Sequence, residues 1–201
     1  MKRISSSFFN VPKSRTEVKK GDLLVAEPFM HDKWFGRSII ALFNHDNEKG
    51  SAGLVLNNEL DTTLSEIFSD VHTQGLKVYC GGPMGHDRLF FLHTLGDKIF
   101  PDAQEISPGL WMGGRFASAV EYLNAGYPYE GHIRFFVGYS GWSENQLKDE
   151  IENGAWAVPE KHFETASLLE GEGNVYWKKI ISQMGDKYRN WTLVPEDARA
   201  N

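Results

Sequence analysis

Short apolar runs separated by polar turns dominate the first part of the chain. Residues 23–26, 38–43 and 52–56 each have the length and composition of a β-strand. The segment between the second and third runs is rich in Asn, Asp and Gly, which is typical of a hairpin turn. Two further short runs, at 78–80 and 89–92, are predicted to be neighbouring strands, and residues 109–114 are predicted to form a glycine-rich loop.

Helical periodicity follows later in the chain. Residues 61–66 begin a short helix that either Thr63 with Glu66, or Asp61 alone, can cap. Residues 116–125 carry apolar side chains at helical spacing before Gly126. A last helix is predicted over residues 175–184. Antiparallel hairpins followed by inserted helices indicate an α+β fold in a single domain. We predict this domain over residues 21–195, with an N-terminal arm over residues 1–20, docked through Phe8, Phe9 and Val11, and a loose tail over residues 196–201.

The segment 132–152 is the most distinctive. An apolar strand at 132–137 is expected to break at Gly138 and Gly141, in a turn that carries Tyr139, Ser140 and Trp142. A helix then follows, with Ser143 as its N-cap and Gln146 as the capping-box partner. A strand, an aromatic turn and a helix in this order predict one wall of a binding cleft.

Charge and composition exclude several classes of protein. The 201-residue chain has a formal net charge of −6 and 41% hydrophobic residues, which argues against a large phosphate-binding face and against direct DNA binding. No apolar run is long enough to cross a membrane, and the basic N-terminus lacks the apolar stretch of a signal peptide. The single cysteine, Cys80, suits a reducing compartment, so we expect a cytoplasmic location.

Candidate nucleophiles are weakly supported by their surroundings. Ser140 follows a Gly-x-Ser pattern, but Trp142 replaces the second glycine that a nucleophile elbow requires. Cys80 lies at a strand end, where a thiol behaves either as a nucleophile activated by Arg88 or a histidine or as a small buried hydrophobe. No spacing typical of a metal site or a nucleotide fingerprint occurs, so we expect neither a metal nor a cofactor.

Two kinds of binding site remain open. Gly113, Gly114 and Arg115 precede a helix, where backbone N–H groups favour an anion, although Arg115 can equally pair with a carboxylate. Large aromatic residues also recur beside glycines, an arrangement that either closes the ends of the core or lines a groove. We predict one shared groove, in which the stretches around Pro83, Met112 and Ser140 meet. Its candidate residues are Gly81, Gly82, Pro83, Arg88, Trp111, Gly113, Gly114, Arg115, Tyr139, Ser140 and Trp142.

Several ordered motifs between residues 21 and 156 resemble the AlgH/YqgE family of small bacterial proteins. They are Gly21-Asp22-Leu23-Leu24-Val25-Ala26-Glu27-Pro28, Phe35-Gly36-Arg37-Ser38, His45 with the run Gly50 to Asn57, Gly81-Gly82-Pro83-Met84, and Gly138-Tyr139-Ser140-Gly141-Trp142 with Gln146-Leu147 and Glu150-Ile151. The chain departs from the family pattern at Asn145, which replaces a glycine, and at Lys148, which replaces a glutamate.

The resemblance implies an α+β fold with a bifurcated, mostly antiparallel, curled sheet that forms a pseudo-barrel with flanking helices. It also implies an association with transcriptional regulation, without catalytic residues to transfer. Together with the residues, it predicts a non-enzymatic regulatory or adaptor protein that binds a protein partner or a small anionic ligand through Gly-aromatic loops. The alternative is a hydrolase or thiol-dependent enzyme that uses Ser140 or Cys80.

Overall fold

The structure is a computed structural model that describes residue 12 and residues 14–46, 48–161 and 163–195. The predicted docking residues Phe8, Phe9 and Val11 and the predicted tail lie outside these ranges. The described end of the predicted arm lies against the body. The Ser14 hydroxyl donates to the carbonyl of Val158, and Arg15 forms a 2.8 Å ion pair with the buried Asp22.

Ten strands and five α-helices make up the described fold, followed by a 3-10 helix over Asp186–Leu193. The strands are β1 (Leu23–Ala26), β2 (Ile39–Asp46), β3 (Gly50–Val55), β4 (Glu59–Thr63), β5 (Lys77–Cys80), β6 (Met84–His93), β7 (Gln104–Ser107), β8 (Leu110–Met112), β9 (Ile133–Trp142) and β10 (Trp156–Ala157). The helices are α1 (Leu64–Ile67), α2 (Phe116–Asn124), α3 (Gln146–Glu152), α4 (Thr165–Leu168) and α5 (Gly173–Gln183).

One strand, β9, joins two halves of a bifurcated sheet. The main path runs in the order β10-β1-β2-β3-β9-β6-β8-β7, while β5 pairs with β9 and β4 pairs with β5. The last three residues of β9 pair with β3 of the first half, which contains β10, β1, β2 and β3. Residues 135–137 of β9 lie between β6 and β5 of the second half, which contains β4 to β8. The β5–β9 pair is parallel and the other pairs are antiparallel. The predicted α+β class and mostly antiparallel sheet are confirmed, but the path is open, so the sheet does not close into a barrel.

Three apolar clusters hold the layers together. The largest lies on the inner faces of both halves, where side chains such as Leu54 and Phe136 pack against Trp177 and Ile180 of α5. On the outer face of the first half, strands β1 to β3 pack against α3, Trp142 and Trp156. On the outer face of the second half, α1 and α2 cover Val78, Phe91 and Phe135. Burial of this apolar area is the main favourable contribution to folding.

Local sequence signals place many elements within a few residues. The Thr63 N–H donates to Glu66 at 2.7 Å, so the predicted helix start at α1 is confirmed. Gly126 adopts φ +78° just after α2, as expected for a residue that ends a helix.

Several predicted connections are wrong. β5 and β6 are not adjacent, because β9 lies between them. Part of the predicted loop at 109–114 is strand β8, which pairs with both β6 and β7. β9 does not break at its glycines, because Gly138 at φ +73° lets the strand continue into the other half of the sheet.

The helix after β9 also begins later than predicted. Its N-cap is Asn145 in the left-handed region, at φ +59°. Ser143 keeps only part of the expected capping arrangement, since its N–H and its hydroxyl both donate to the Gln146 side chain. The left-handed residue separates Ser143 from the first helical turn, which moves the start to Gln146.

Candidate functional site

The turn at 81–83 lies directly on the backbone of β9. A Cβ atom at Gly138 would lie 2.8 Å from the carbonyl oxygens of both Gly82 and Met84. A Cβ at Gly82 would lie 2.4 Å from the carbonyl carbon of Tyr139. Such distances leave no room for a side chain, so glycine is required at both positions. The two stretches around Pro83 and Ser140 therefore meet, as the sequence predicts.

The two candidate nucleophiles are buried beneath this contact. Ser140 is 0% exposed and its hydroxyl donates to the carbonyl of Gly81 at 3.1 Å. The buried Cys80 thiol contacts the carbonyl of Gly82 at 3.6 Å. A carbonyl oxygen does not act as a general base, and both residues are buried, with Ser140 0% and Cys80 5% exposed. Both side chains pack the site from below.

Above the contact, several side chains share one exposed surface. The edge of Trp34 meets His86 with ring centroids 5.7 Å apart. The Tyr139 ring lies beside Gly85 and packs on Phe90. We call this the Gly-aromatic surface, formed by Trp34, Pro83, Met84, His86, Arg88 and Tyr139. Met84 is 45% exposed at its centre, and the close backbone contact between the 81–83 turn and β9 lies below it.

Other residues of the predicted groove lie elsewhere. Trp142 is buried on the outer face of the first half, where its indole N–H donates to Glu150 at 2.8 Å. Trp156 donates to the same carboxylate at 2.7 Å. Trp111 lies in β8 opposite His93, on the other side of β6 from β9. The stretch around Met112 therefore does not line the same groove as Pro83 and Ser140.

The predicted anion site at the start of α2 is occupied by an internal contact. The Arg115 guanidinium pairs with Asp102, with Nε and Oδ2 2.8 Å apart, and this pair raises the pKa of Arg115. A Cβ at Gly114 would lie 3.1 Å from the carbonyl oxygen of Phe100, so this loop packs against the chain. Of the two alternatives for Arg115, the structure shows pairing with a carboxylate.

Arg134 is a buried cation that the sequence reasoning missed. Its guanidinium donates to the carbonyls of Leu56, Leu169 and Gly171 at 2.7 to 3.0 Å and lies 4.1 Å from the Tyr79 ring centroid. Burial lowers the pKa of this group. The signal available in the sequence was a single arginine within an apolar strand. Its side chain links β9 to the segment after β3 and to the residues between α4 and α5.

A polar cavity of about 350 Å³ opens beside Trp34. Its lining includes Lys33, Ser38, Asn57 and Asn174, none of which the groove prediction contained. Ser38 and Asn57 do occur in the motifs that carry the family resemblance, which was the available signal. Their side chains come together only because β2 and β3 are paired in this register.

Neither a metal-binding cluster nor a membrane-spanning helix occurs among the described residues. Within those ranges, no group of three or more His, Cys, Asp or Glu side chains could hold a metal ion. No helix in the described part of the chain is both long and apolar enough to span a bilayer.

Comparison with known proteins places the chain among bacterial relatives. The AlgH-like family model, DUF179, matches residues 23–189. A UPF0301 protein of Parabacteroides distasonis is 40% identical over 183 residues, covering 90% of this chain and 91% of the relative. A UPF0301 protein of Bacteroides thetaiotaomicron is 36% identical over 194 residues, covering 96% of each chain.

Two solved structures share the fold. A crystal structure of a Corynebacterium diphtheriae protein matches with a TM-score of 0.75 at 23% identity, covering 94% of this chain and 98% of that one. The solution structure of the AlgH protein from Pseudomonas aeruginosa matches with a TM-score of 0.65 at 26% identity, covering 87% and 93% of the two chains. None of these names states a reaction.

Proposed function

The chain belongs to the AlgH-like family, and we propose that it is a non-catalytic regulatory or adaptor protein that binds a protein partner or a small ligand through the Gly-aromatic surface. The observation that carries this proposal is the backbone contact between Gly82 and Tyr139, which displays the flanking side chains on a fixed base. A surface that is already ordered loses little conformational entropy on binding. A link to transcription and a cytoplasmic location stay predictions.

The composition of the surface also supports recognition. Trp34 and Tyr139 offer large, partly polar rings, and Met84 adapts to irregular partners. Arg88 adds an exposed cation near Gly85. Trp, Tyr, Met and Arg are the residue types that protein interfaces favour.

A pair of matched double variants tests the proposal. Met84→Ser/Arg88→Ser removes an apolar and a cationic side chain from the Gly-aromatic surface. Ile99→Ser/Lys98→Ser removes the same two types elsewhere, and Ile99 is also 45% exposed. Each protein would be affinity-purified from its native host. Proteins bound after cross-linking would be compared with those bound to wild type, and native mass spectrometry without cross-linking would detect a bound small ligand.

We expect the recovery of the proteins or mass adducts bound to wild type to fall at least tenfold in Met84→Ser/Arg88→Ser. In Ile99→Ser/Lys98→Ser their recovery should stay unchanged. Equal recovery with both variants would contradict the proposal. The enzymatic alternative is tested separately with a serine-reactive phosphonate and with iodoacetamide. Because Ser140 and Cys80 are buried, we expect slow labelling of the folded protein, whereas fast stoichiometric labelling would favour catalysis.

A further inference from the structure

Ser38 carries an unexplained polar group. The side chain lines the cavity beside Trp34 and is only 3% exposed. Its hydroxyl has no hydrogen-bond partner among the described residues. Buried hydroxyls are normally paired, because an unpaired one loses its hydration without compensation. This hydroxyl is therefore free to form a hydrogen bond with a molecule from outside the chain.

The wall of the cavity is held in place by Asn57. The Asn57 amide accepts the Ile39 N–H at 2.9 Å and donates to the carbonyls of Arg37 and Gly173 at 3.0 and 2.9 Å. The Gly173 N–H donates back to the Asn57 carbonyl at 2.8 Å. One buried side chain thus ties β2, β3 and the start of α5 together. The Ser38 hydroxyl, which is itself buried, reaches a ligand by rotation of its side chain.

The charges around the cavity favour an anion. Lys33 and Arg37 contribute to the lining, and no Asp or Glu does so within the described ranges. The Lys33 ammonium lies 5.2 Å from the centroid of the Trp34 ring. Arg37 is fixed by donation to Asn174 Oδ1 and to the carbonyls of Val194 and Pro195.

The eleven-residue helix α5 begins at the same place, since Gly173 and Asn174 line the cavity. The first turn contains no acidic residue, and the N-cap residue Glu172 makes no side-chain cap hydrogen bond. Its carboxyl interacts with Glu59 instead, and that contact raises the pKa of Glu59. The positive end of the helix dipole is therefore left for a ligand.

We infer that this cavity binds a small molecule through an oxyanion, either a phosphate or a carboxylate group. The Ser38 hydroxyl donates to the anionic oxygen, Lys33 supplies charge at the mouth, and the Trp34 ring covers the remainder of the molecule. A volume of about 350 Å³ is at the small end of ligand cavities, which span roughly 300–1,000 Å³. This inference goes beyond the proposed function, because it requires no contact with Met84, Arg88 or Tyr139.

The test is a titration of the isotope-labelled full chain with inorganic phosphate and, separately, with sodium acetate, followed by NMR at constant ionic strength. We expect saturable shifts of the Ser38 and Gly173 amides and of the Trp34 indole with at least one anion. The anion that saturates at lower concentration identifies the preferred group. Sodium chloride added to the same ionic strength is the reference.

Three variants make the test specific. Ser38→Ala is expected to weaken binding at least fivefold while the melting temperature stays equal or rises, because an unpaired hydroxyl is removed. Lys33→Gln is expected to weaken binding at least threefold. Lys98→Gln, an exposed lysine elsewhere, is the matched control and should leave the affinity unchanged.

The absence of saturable shifts with both anions would overturn the inference, as would unchanged affinity in Ser38→Ala. The Met84→Ser/Arg88→Ser variant should bind the anion like wild type. Failure of the anion site and failure of the Gly-aromatic surface are therefore distinguishable.

Discussion

His93 is a fully buried side chain whose two ring nitrogens have different partners. Nε2 lies 3.0 Å from the Gly113 carbonyl, and the Leu95 N–H donates to Nδ1 at 3.3 Å. This arrangement fits only the neutral ring, with the proton on Nε2, because Nδ1 must accept. Burial lowers the pKa of His93 to about 4. The neutral imidazole of His93 thus links β6 to the loop at Gly113 through its Nε2–H.

This arrangement predicts a loss of stability in mild acid. Between pH 6.5, the ordinary pKa, and about pH 4, the unfolded chain protonates His93 while the folded chain does not. Unfolding therefore takes up a proton, and the free energy of unfolding falls with decreasing pH, by up to roughly 3 kcal/mol. Urea denaturation of wild type and His93→Gln at pH 7.5 and pH 4.5 isolates this contribution. The same pH dependence in both proteins would contradict the prediction.

At the same scale, the sequence identified some conformations but not their surroundings. Asn145 was recognised as a replacement for glycine, and it does adopt a left-handed backbone. The burial of Ser140 could not be predicted, because it depends on Gly81, 59 residues earlier in the chain. Side-chain chemistry is local, whereas hydrogen-bond partners are set by tertiary contacts.

At the scale of elements, helix ends and short strands follow local rules, and strand neighbours do not. The capping pair in α1 and the glycine after α2 are local signals that placed those elements well. β9 was predicted too short, because Gly138 and Gly141 normally indicate a break. The insertion of β9 between β5 and β6 joins residues at least 40 positions apart, and apolar periodicity carries no information on such a pairing.

Gly138 offers a direct test of the strand geometry. Gly138 and Gly113 have similar positive φ angles, +73° and +70°, but only Gly138 is crowded, since nothing lies within 4 Å of a Cβ at Gly113. Each alanine variant bears the left-handed strain of about 1–2 kcal/mol. We expect Gly138→Ala to lose roughly 1–3 kcal/mol more, from overpacking against two carbonyls. Equal losses in urea denaturation would show that the close contact does not constrain the strand.

At the scale of the whole molecule, the two halves of the sheet share one strand and one apolar cluster. The largest cluster contains side chains from β1 to β3 and from β5 to β9. Neither half has a complete set of backbone partners without β9. The sequence predicted the class of fold from its hairpins and helices, and the bifurcated sheet came from the family motifs. The open path and its parallel pair depend on contacts that no single segment encodes.

We therefore expect cooperative two-state unfolding. The native NMR resonance of the Trp156 indole, buried in β10, reports on the first half. Loss of the native NMR resonances of Phe91 and Phe135 reports on the second half. The two urea transitions should coincide, and separate midpoints would show that the halves unfold independently.

A strand shared in this way also limits how such a protein can change over time. Loops at the rim can lengthen or shorten, because they lie outside the shared pairing. Neither half, however, can be exchanged for a foreign module or duplicated on its own, since each replacement would have to pair with its own part of a strand that the other half also needs. The shared strand thus makes the two halves of the sheet one structural unit.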